Sequence, residues 1–219
     1  MESKSREYIS SFKPKLERLD SATDAELSLF HAGEGYENFD HFISAKMENG
    51  KTEAEDCEEN GNGATHLIWD MAGKERKLVA YFTLSASVIP YSDGIEEDES
   101  EEKDLFQKLS NFPYIPVLEI KMFAVDEFYQ DKFYTYKELS MPVSAWCLRT
   151  LVGLADFLST KMIGFQGLFL HAVPNAVNFY STNGFSEMPK AARPLYSIDQ
   201  DFTAMWMAMR KVFIPLEEE

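Results

Sequence analysis

Cysteine is scarce in this chain. Its 219 residues hold two, Cys57 in an acidic polar stretch and Cys147 in an apolar one, with no Cys-x-x-Cys and no cysteine–histidine cluster. This excludes a disulfide framework and a structural zinc site, and it suits a reducing compartment. Long apolar runs are missing too. No segment approaches the roughly 18 residues of a membrane span, and the opening MESKSREYISSFKPK is charged, without the apolar centre of a secretory signal. The expectation is a soluble cytoplasmic protein with no membrane partner. Glycine is thin as well, with none between Gly94 and Gly153, so any backbone cradle needing bare Cα positions in that span has no residue to build it.

Positive charge is the remaining shortage. The net charge is −16, with 37 acids against 21 Lys and Arg. Three windows, Glu53–Glu59, Asp93–Asp104 and Glu217–Glu219, hold sixteen of those acids, and one lysine, Lys103, lies among them. The rest of the chain is therefore close to neutral, with its cations scattered. Nucleic-acid binding needs a basic patch, so the charge pattern predicts no nucleic-acid partner, tRNA included. Neither acidic window that could form a loop has the Asp-x-Asp-x-Asp-Gly spacing of a calcium site, so no metal is expected.

What is present is ample core material, 45% hydrophobic and 14% aromatic residues, enough for one globular domain over 1–219 with acidic inserts near 50–62 and 92–104. Residues 1–47 read as helical, DAELSLFHAG ending at Gly33 and YENFDHFISAKM placing Tyr36, Phe39, Phe42 and Ile43 at helical spacing. THLIWDM and KLVAYFTLSASVIPY are rich in β-branched and aromatic residues on either side of AGKER. They predict an antiparallel hairpin, Thr65–Met71 with Lys77–Ile89. The acidic stretch Ser92–Glu102 runs into KDLFQKLSNFP, read as an exposed helix. Val117–Val125 reads as a central strand, Val143–Lys161 as an amphipathic helix of about five turns, GLFLHAV as a second buried strand, and FTAMWMAMRKVF as a closing strand. Strand, helix, strand makes a right-handed crossover unit.

The order of these elements, with LEIKMFAVDEFYQ before the long helix and LFLHAV before NAVNFYSTNGF, resembles the GCN5-related N-acetyltransferase superfamily. FHAGEGYENFDHFI followed by ATHLIWDM resembles its acetyltransferase-toxin branch. The resemblance implies an α/β (α+β) fold, a mixed central sheet of about six or seven strands flanked by helices, and acetyl-CoA as co-substrate. The implied activity is direct transfer of an acetyl group to a small-molecule or peptide amine in a ternary complex, with a possible homodimer. The chain departs from the family where a Gln/Arg-x-x-Gly-x-Gly/Ala turn should cradle the diphosphate. Here the stretch is YQDKFYTYKELSMPVSAW, and Asp131–Met141 reads as an inserted turn before a helix that Pro142 opens and Ser140 caps. TYKE, from Thr135, offers a rival capping box. A cofactor-less binding module is therefore the alternative reading.

The resemblance implies roles for particular residues. Tyr180 would protonate the leaving thiolate, or else wedges the helix on the sheet with Phe179 and Phe185. Glu119 would be the base, or else pairs with Lys121 on one strand face. Phe123, Ala124 and Val125 would present a strand N–H to the thioester carbonyl. Gln130, Asp131, Lys132 and Phe179 would line the cofactor, with Lys137 a further source of charge. Asn175 either contacts the cofactor or caps its helix. His171 reads as a core residue.

Overall fold

The computed structural model describes residues 6–90, 114–188 and 202–209. In chain order the elements are β1 (Glu7–Tyr8), β2 (Pro14–Arg18), α1 (Asp24–Leu27), α2 (Glu37–Ser44), α3 (Glu53–Glu59), β3 (Ala64–Asp70), β4 (Lys77–Pro90), β5 (Tyr114–Val125), α4 (Glu127–Gln130), β6 (Lys132–Tyr136), β7 (Leu139–Pro142), α5 (Val143–Lys161), β8 (Gly167–Ala172), α6 (Val177–Thr182), β9 (Ser186–Glu187) and β10 (Thr203–Ala208). Seven strands form one mixed sheet in the order β2-β3-β4-β5-β8-β10-β9, and three form a small sheet in the order β1-β6-β7. Contacts divide the chain into two compact units, Met1–Ser85 with Ile120–Leu154, and Ala86–Glu119 with Ala155–Glu219.

In the first unit the predicted hairpin is present. β3 and β4 pair antiparallel from Ala64↔Leu84 to Asp70↔Lys77, with a register shift at Ile68/Trp69. Their alternation turns Leu67, Trp69 and Tyr81 inward, where Phe42 and Ile43 of α2 and Leu27 and Phe30 beside α1 complete the cluster. Tyr81 stacks on Phe42 at 5.9 Å and donates its hydroxyl to the Phe39 carbonyl at 2.8 Å. Arg76, at the hairpin turn, lies 4.1 Å from the Trp69 ring. It also ion-pairs with Glu17 at 2.6 Å and Glu26 at 2.7 Å. The guanidinium beside Glu26 lowers that carboxyl to about 2.

Three sequence expectations are corrected in this unit. The described residues before Leu19 are not helical: Pro14–Arg18 pairs antiparallel with β3 and Glu7–Tyr8 pairs parallel with β6, so strand pairing overrides the local preference. The first helix stops at Leu27, short of Gly33, because the amides of His31 and Ala32 bond to Asp126 and Asp40. The acidic window Glu53–Glu59 is a helix and not a loop, its start fixed by a capping box between Thr52 and Glu55.

In the second unit β8 pairs antiparallel with β10 from Thr203↔Ala172 to Ala208↔Gly167, over a core of Ile89, Val117, Phe169, Met188 and Ala204. The Gln166 amide donates to the Pro116 carbonyl at 2.8 Å. After α6 the chain reverses at Gly184, whose φ of +96° favours a residue without Cβ. The expected helix beyond Ser92 lies outside the described residues.

Candidate functional site

β5 hands the chain to α4 through Asp126. One carboxylate oxygen accepts from the Phe128 amide at 3.1 Å and the other from the His31 amide at 3.1 Å. The Asp126 amide donates to the Val79 carbonyl at 2.8 Å. Burial pushes the Asp126 carboxyl above its ordinary range. Beside it, His31 Nδ1 lies 2.6 Å from Asp40 Oδ2, and that bond raises the imidazole pKa. Gln130 Nε2 donates to the Ala32 carbonyl at 2.7 Å and the Val125 carbonyl at 2.8 Å. The backbone of the loop before α2 is thus fastened to the turn after β5 through the Asp126 and Gln130 side chains.

The stretch after Gln130 departs from its sequence reading. Asp131 ends α4, and the following residues form a hairpin, β6 and β7, pairing from Phe133↔Pro142 to Tyr136↔Leu139. Lys137 turns it with φ of +57°. Ser140 is therefore a strand residue opposite Thr135 and not a helix cap, Pro142 ends β7, and α5 opens at Val143. TYKE forms strand and turn because Tyr134 and Tyr136 pack edge-on to Trp146 at 6.2 and 6.3 Å, contacts a helix from Thr135 would not make. The signal that could have found the hairpin is the aromatic run KFYTY before Lys137-Glu138. Lys132 ion-pairs with Glu7. Ala124 and Val125 are buried and Phe123 half-buried, and Ala124 joins the core around Tyr81.

In the second unit Tyr180 is 6% exposed, its ring edge-on to Phe179 at 5.3 Å and Phe185 at 5.5 Å. Burial pushes the phenol pKa well above its ordinary value, so the hydroxyl keeps its proton throughout the physiological range. Asn175 sits inside a short 3-10 turn, Pro174–Ala176, and Ala176 occupies the cap position of α6. The capping role weighed for Asn175 is therefore not realised. Glu119 is half-buried on β5. His171 is half-buried rather than a core residue, edge-on to Phe169 at 4.7 Å. Burial lowers its pKa, against the opposing pull of the Glu119 carboxylate. A neutral imidazole with a carboxylate in its field is proton-accepting chemistry, and no local signal marked His171 as partly exposed. Among the described residues no group of three or more His, Cys, Asp or Glu is placed to hold a metal ion, and no helix is long and apolar enough to cross a membrane.

No protein-family model matches the chain, and no curated protein matches its sequence. Solved structures do match its shape. The crystal structure of AtaTR bound with AcCoA aligns over 90% of this chain and 94% of its own, at 18% identity and a TM-score of 0.59. This is the GCN5-related N-acetyltransferase fold. AtaT complexed with acetyl-methionyl-tRNAfMet shares the acetyltransferase fold over 90% of this chain and 95% of its own, at 20% identity and a TM-score of 0.56. The KacTA–DNA complex covers 90% and 94% at 15% identity, with a TM-score of 0.54. The toxin-like plan read from the N-terminal half is the plan of these structures.

The same structures overturn the partner reading of a small-molecule or peptide acceptor with no nucleic acid. Proteins of this acetyltransferase fold are solved with an acetylated tRNA and with DNA. The physical error was to take cations scattered along the sequence as scattered over the folded surface. Acids collected in α3 and paired there, Lys46 with Glu55 at 2.9 Å and Arg18 with Glu58 at 3.0 Å, say nothing about the field over a distant face.

Proposed function

We propose that this chain is an acetyl-CoA-dependent N-acetyltransferase whose acceptor amine is carried on RNA, the aminoacyl end of a tRNA being the substrate class. The observation that carries the reading is the fold shared with AtaTR bound with AcCoA over nine-tenths of both chains. Retention of the FY-x-x-x-GF helix around Tyr180 supports it.

Transfer requires the amine to lose a proton, the thioester carbonyl to be polarised and the departing sulfur to gain a proton. Tyr180, fully protonated in its apolar setting, supplies the last proton from its hydroxyl. Glu119, with His171 in its field, takes the amine proton directly or through water. Burial opposes charging of the His171 imidazole, which is therefore neutral at neutral pH, and the Glu119 carboxylate pulls the other way. Acetyl-CoA would supply the activated acyl group.

Calorimetric titration with acetyl-CoA and with CoA, followed by acetyl transfer to aminoacyl-tRNA, tests this. Saturable heat at micromolar ligand and acetylated aminoacyl-tRNA are expected. Absence of heat and of any melting shift at millimolar acetyl-CoA overturns the proposal.

A further inference from the structure

Strand pairing sets Asp70 of β3 directly opposite Lys77 of β4. Residues that face one another across an antiparallel pair point to the same side, with Cβ atoms about 5 Å apart, and opposite charges so placed attract. Here they stay apart. Among the described residues neither side chain enters an ion pair. Asp70 Oδ1 accepts from the amides of Lys13 at 3.0 Å and Ala72 at 2.9 Å, while Lys77 is turned to the Phe128 ring, its Nζ 5.8 Å from the centroid. The second oxygen of Asp70 is poorly supplied. Its one donor is the Tyr129 hydroxyl at 3.4 Å, beyond the roughly 3.0 Å limit of an ordinary O–H···O bond. Asp70 is only 9% exposed, so water makes up little of the shortfall, and a buried carboxylate calls for donors.

Both side chains line one cleft of 380 Å³, together with Glu75, Tyr129 and the rings of Tyr8 and Phe128. All of these residues belong to the first unit. The volume stands near the lower end of the range for ligand pockets, about 300–1,000 Å³, which suits a molecule of amino-acid size. Charge narrows the chemistry further. The lining holds two carboxylates, Asp70 and Glu75, and one ammonium, Lys77. The cations nearby are already spent, Lys132 on Glu7 and Arg76 on Glu17 and Glu26. A simple anion would meet two carboxylates, and a simple amine would leave Lys77 unanswered. A ligand carrying both charges on neighbouring atoms answers Asp70 and Lys77 at once.

We propose that this cleft is a binding site for a free α-amino acid, taken as the zwitterion. The ammonium donates to Asp70 Oδ2, replacing its stretched bond with a charge-assisted one. The carboxylate accepts from Lys77, and the side chain lies toward Tyr8 and Phe128, whose exposed rings form the open wall. The ligand thereby bridges the β3–β4 turn to α4. The site needs neither acetyl-CoA nor RNA and stands apart from the transferase reading.

The test is titration of the full chain, followed by amide chemical shifts, with three probes that separate the charges: L-phenylalanine, phenethylamine, which lacks the carboxylate, and 3-phenylpropionate, which lacks the ammonium. L-Phenylalanine should bind saturably and shift the amides of Ala72 and Gly73, which lie in the cleft wall. Phenethylamine should bind about threefold more weakly, the worth of an exposed ion pair, and 3-phenylpropionate about tenfold or more. Asp70→Asn keeps an oxygen for the Lys13 and Ala72 amides and removes the charge, so it should weaken L-phenylalanine by about tenfold or more. Lys77→Gln, at an exposed position, keeps the test readable if the first variant disturbs the turn: in it L-phenylalanine and phenethylamine should bind alike. No saturable binding of L-phenylalanine at millimolar concentration overturns the site. So do phenethylamine binding the parent protein as tightly as L-phenylalanine, affinity unchanged in Lys77→Gln, and shifts confined to residues outside the cleft. Acetyl-CoA heat measured on the same samples reports on the transferase alone, so either reading can fail without the other.

Discussion

Two strand-to-helix connections of this fold differ in construction. From β8 to α6 the chain needs only Val173 and the turn Pro174–Ala176. From β5 to α5 it runs from Asp126 to Pro142 and builds a short helix and a hairpin on the way. The short connection is held by local means, aromatic packing of Phe179, Tyr180 and Phe185 and a glycine with positive φ. The long one is held from a distance: Gln130 reaches Ala32, Asp126 reaches His31, and β6 pairs with β1 near the N-terminus. Where the stretch holds no glycine for a tight turn, remote parts of the chain fix the backbone instead.

The largest expected effect lies in the short connection. Tyr180→Phe keeps the ring between Phe179 and Phe185 and removes only the hydroxyl, so turnover should fall by about 10²-fold while acetyl-CoA affinity measured by calorimetry stays within about twofold. Equal turnover in the variant would strip this connection of its chemical role.

Next comes the long connection's own packing. Trp146 is half-buried, edge-on to Tyr134 and Tyr136, with Nε1 donating to the Tyr134 carbonyl at 3.4 Å. Trp146→Ala should cost about 2 kcal/mol, below the range for a fully buried tryptophan, or about 5 °C in a thermal melt. An unchanged melt would mean that the hairpin does not depend on α5. Gln130→Ala, leaving two carbonyls without their donor, should cost about 1 kcal/mol and raise amide exchange near Ala32. A variant with parental exchange there would show that the loop before α2 is held by Asp126 and Asp40 alone.

The same contrast explains what was legible in the sequence. The β3–β4 hairpin, α5, β8 and β10 were readable because alternation and the 3.6-residue period are local signals. The helix carrying Tyr180 was readable for the same reason. The β6–β7 hairpin was not, because Thr135 and Glu138 also match a capping box, and what decides between the two is Trp146 below and Glu7–Tyr8 alongside. Nothing in a two-residue strand announces itself, nor can spacing reveal that Gln130 clasps a carbonyl 98 residues away. His171 was misjudged because a histidine ending an apolar run looks buried, and its exposure is set by the strands around it.

The smallest effect probes the fastening of the long connection by titration. His31 is bonded to Asp40, and Glu127 and Asp126 add to the field that favours its charged form. Its pKa in the folded chain therefore lies above the ordinary 6.5. A group whose folded pKa is raised contributes in full below its unfolded pKa, and that contribution is lost as pH rises through the folded value. Protection of the His31 and Ala32 amides, corrected for intrinsic exchange, should accordingly be constant below pH 6.5 and decline above it. Asp40→Asn should weaken the dependence to the residual pull of Glu127 and Asp126, since a neutral amide holds the imidazole no more tightly when charged than when neutral. Protection flat across neutral pH in the parent protein would mean that the backbone bonds to Asp126 and Asp40 hold the loop unaided, and that the long connection is fastened by hydrogen bonds with no share from charge.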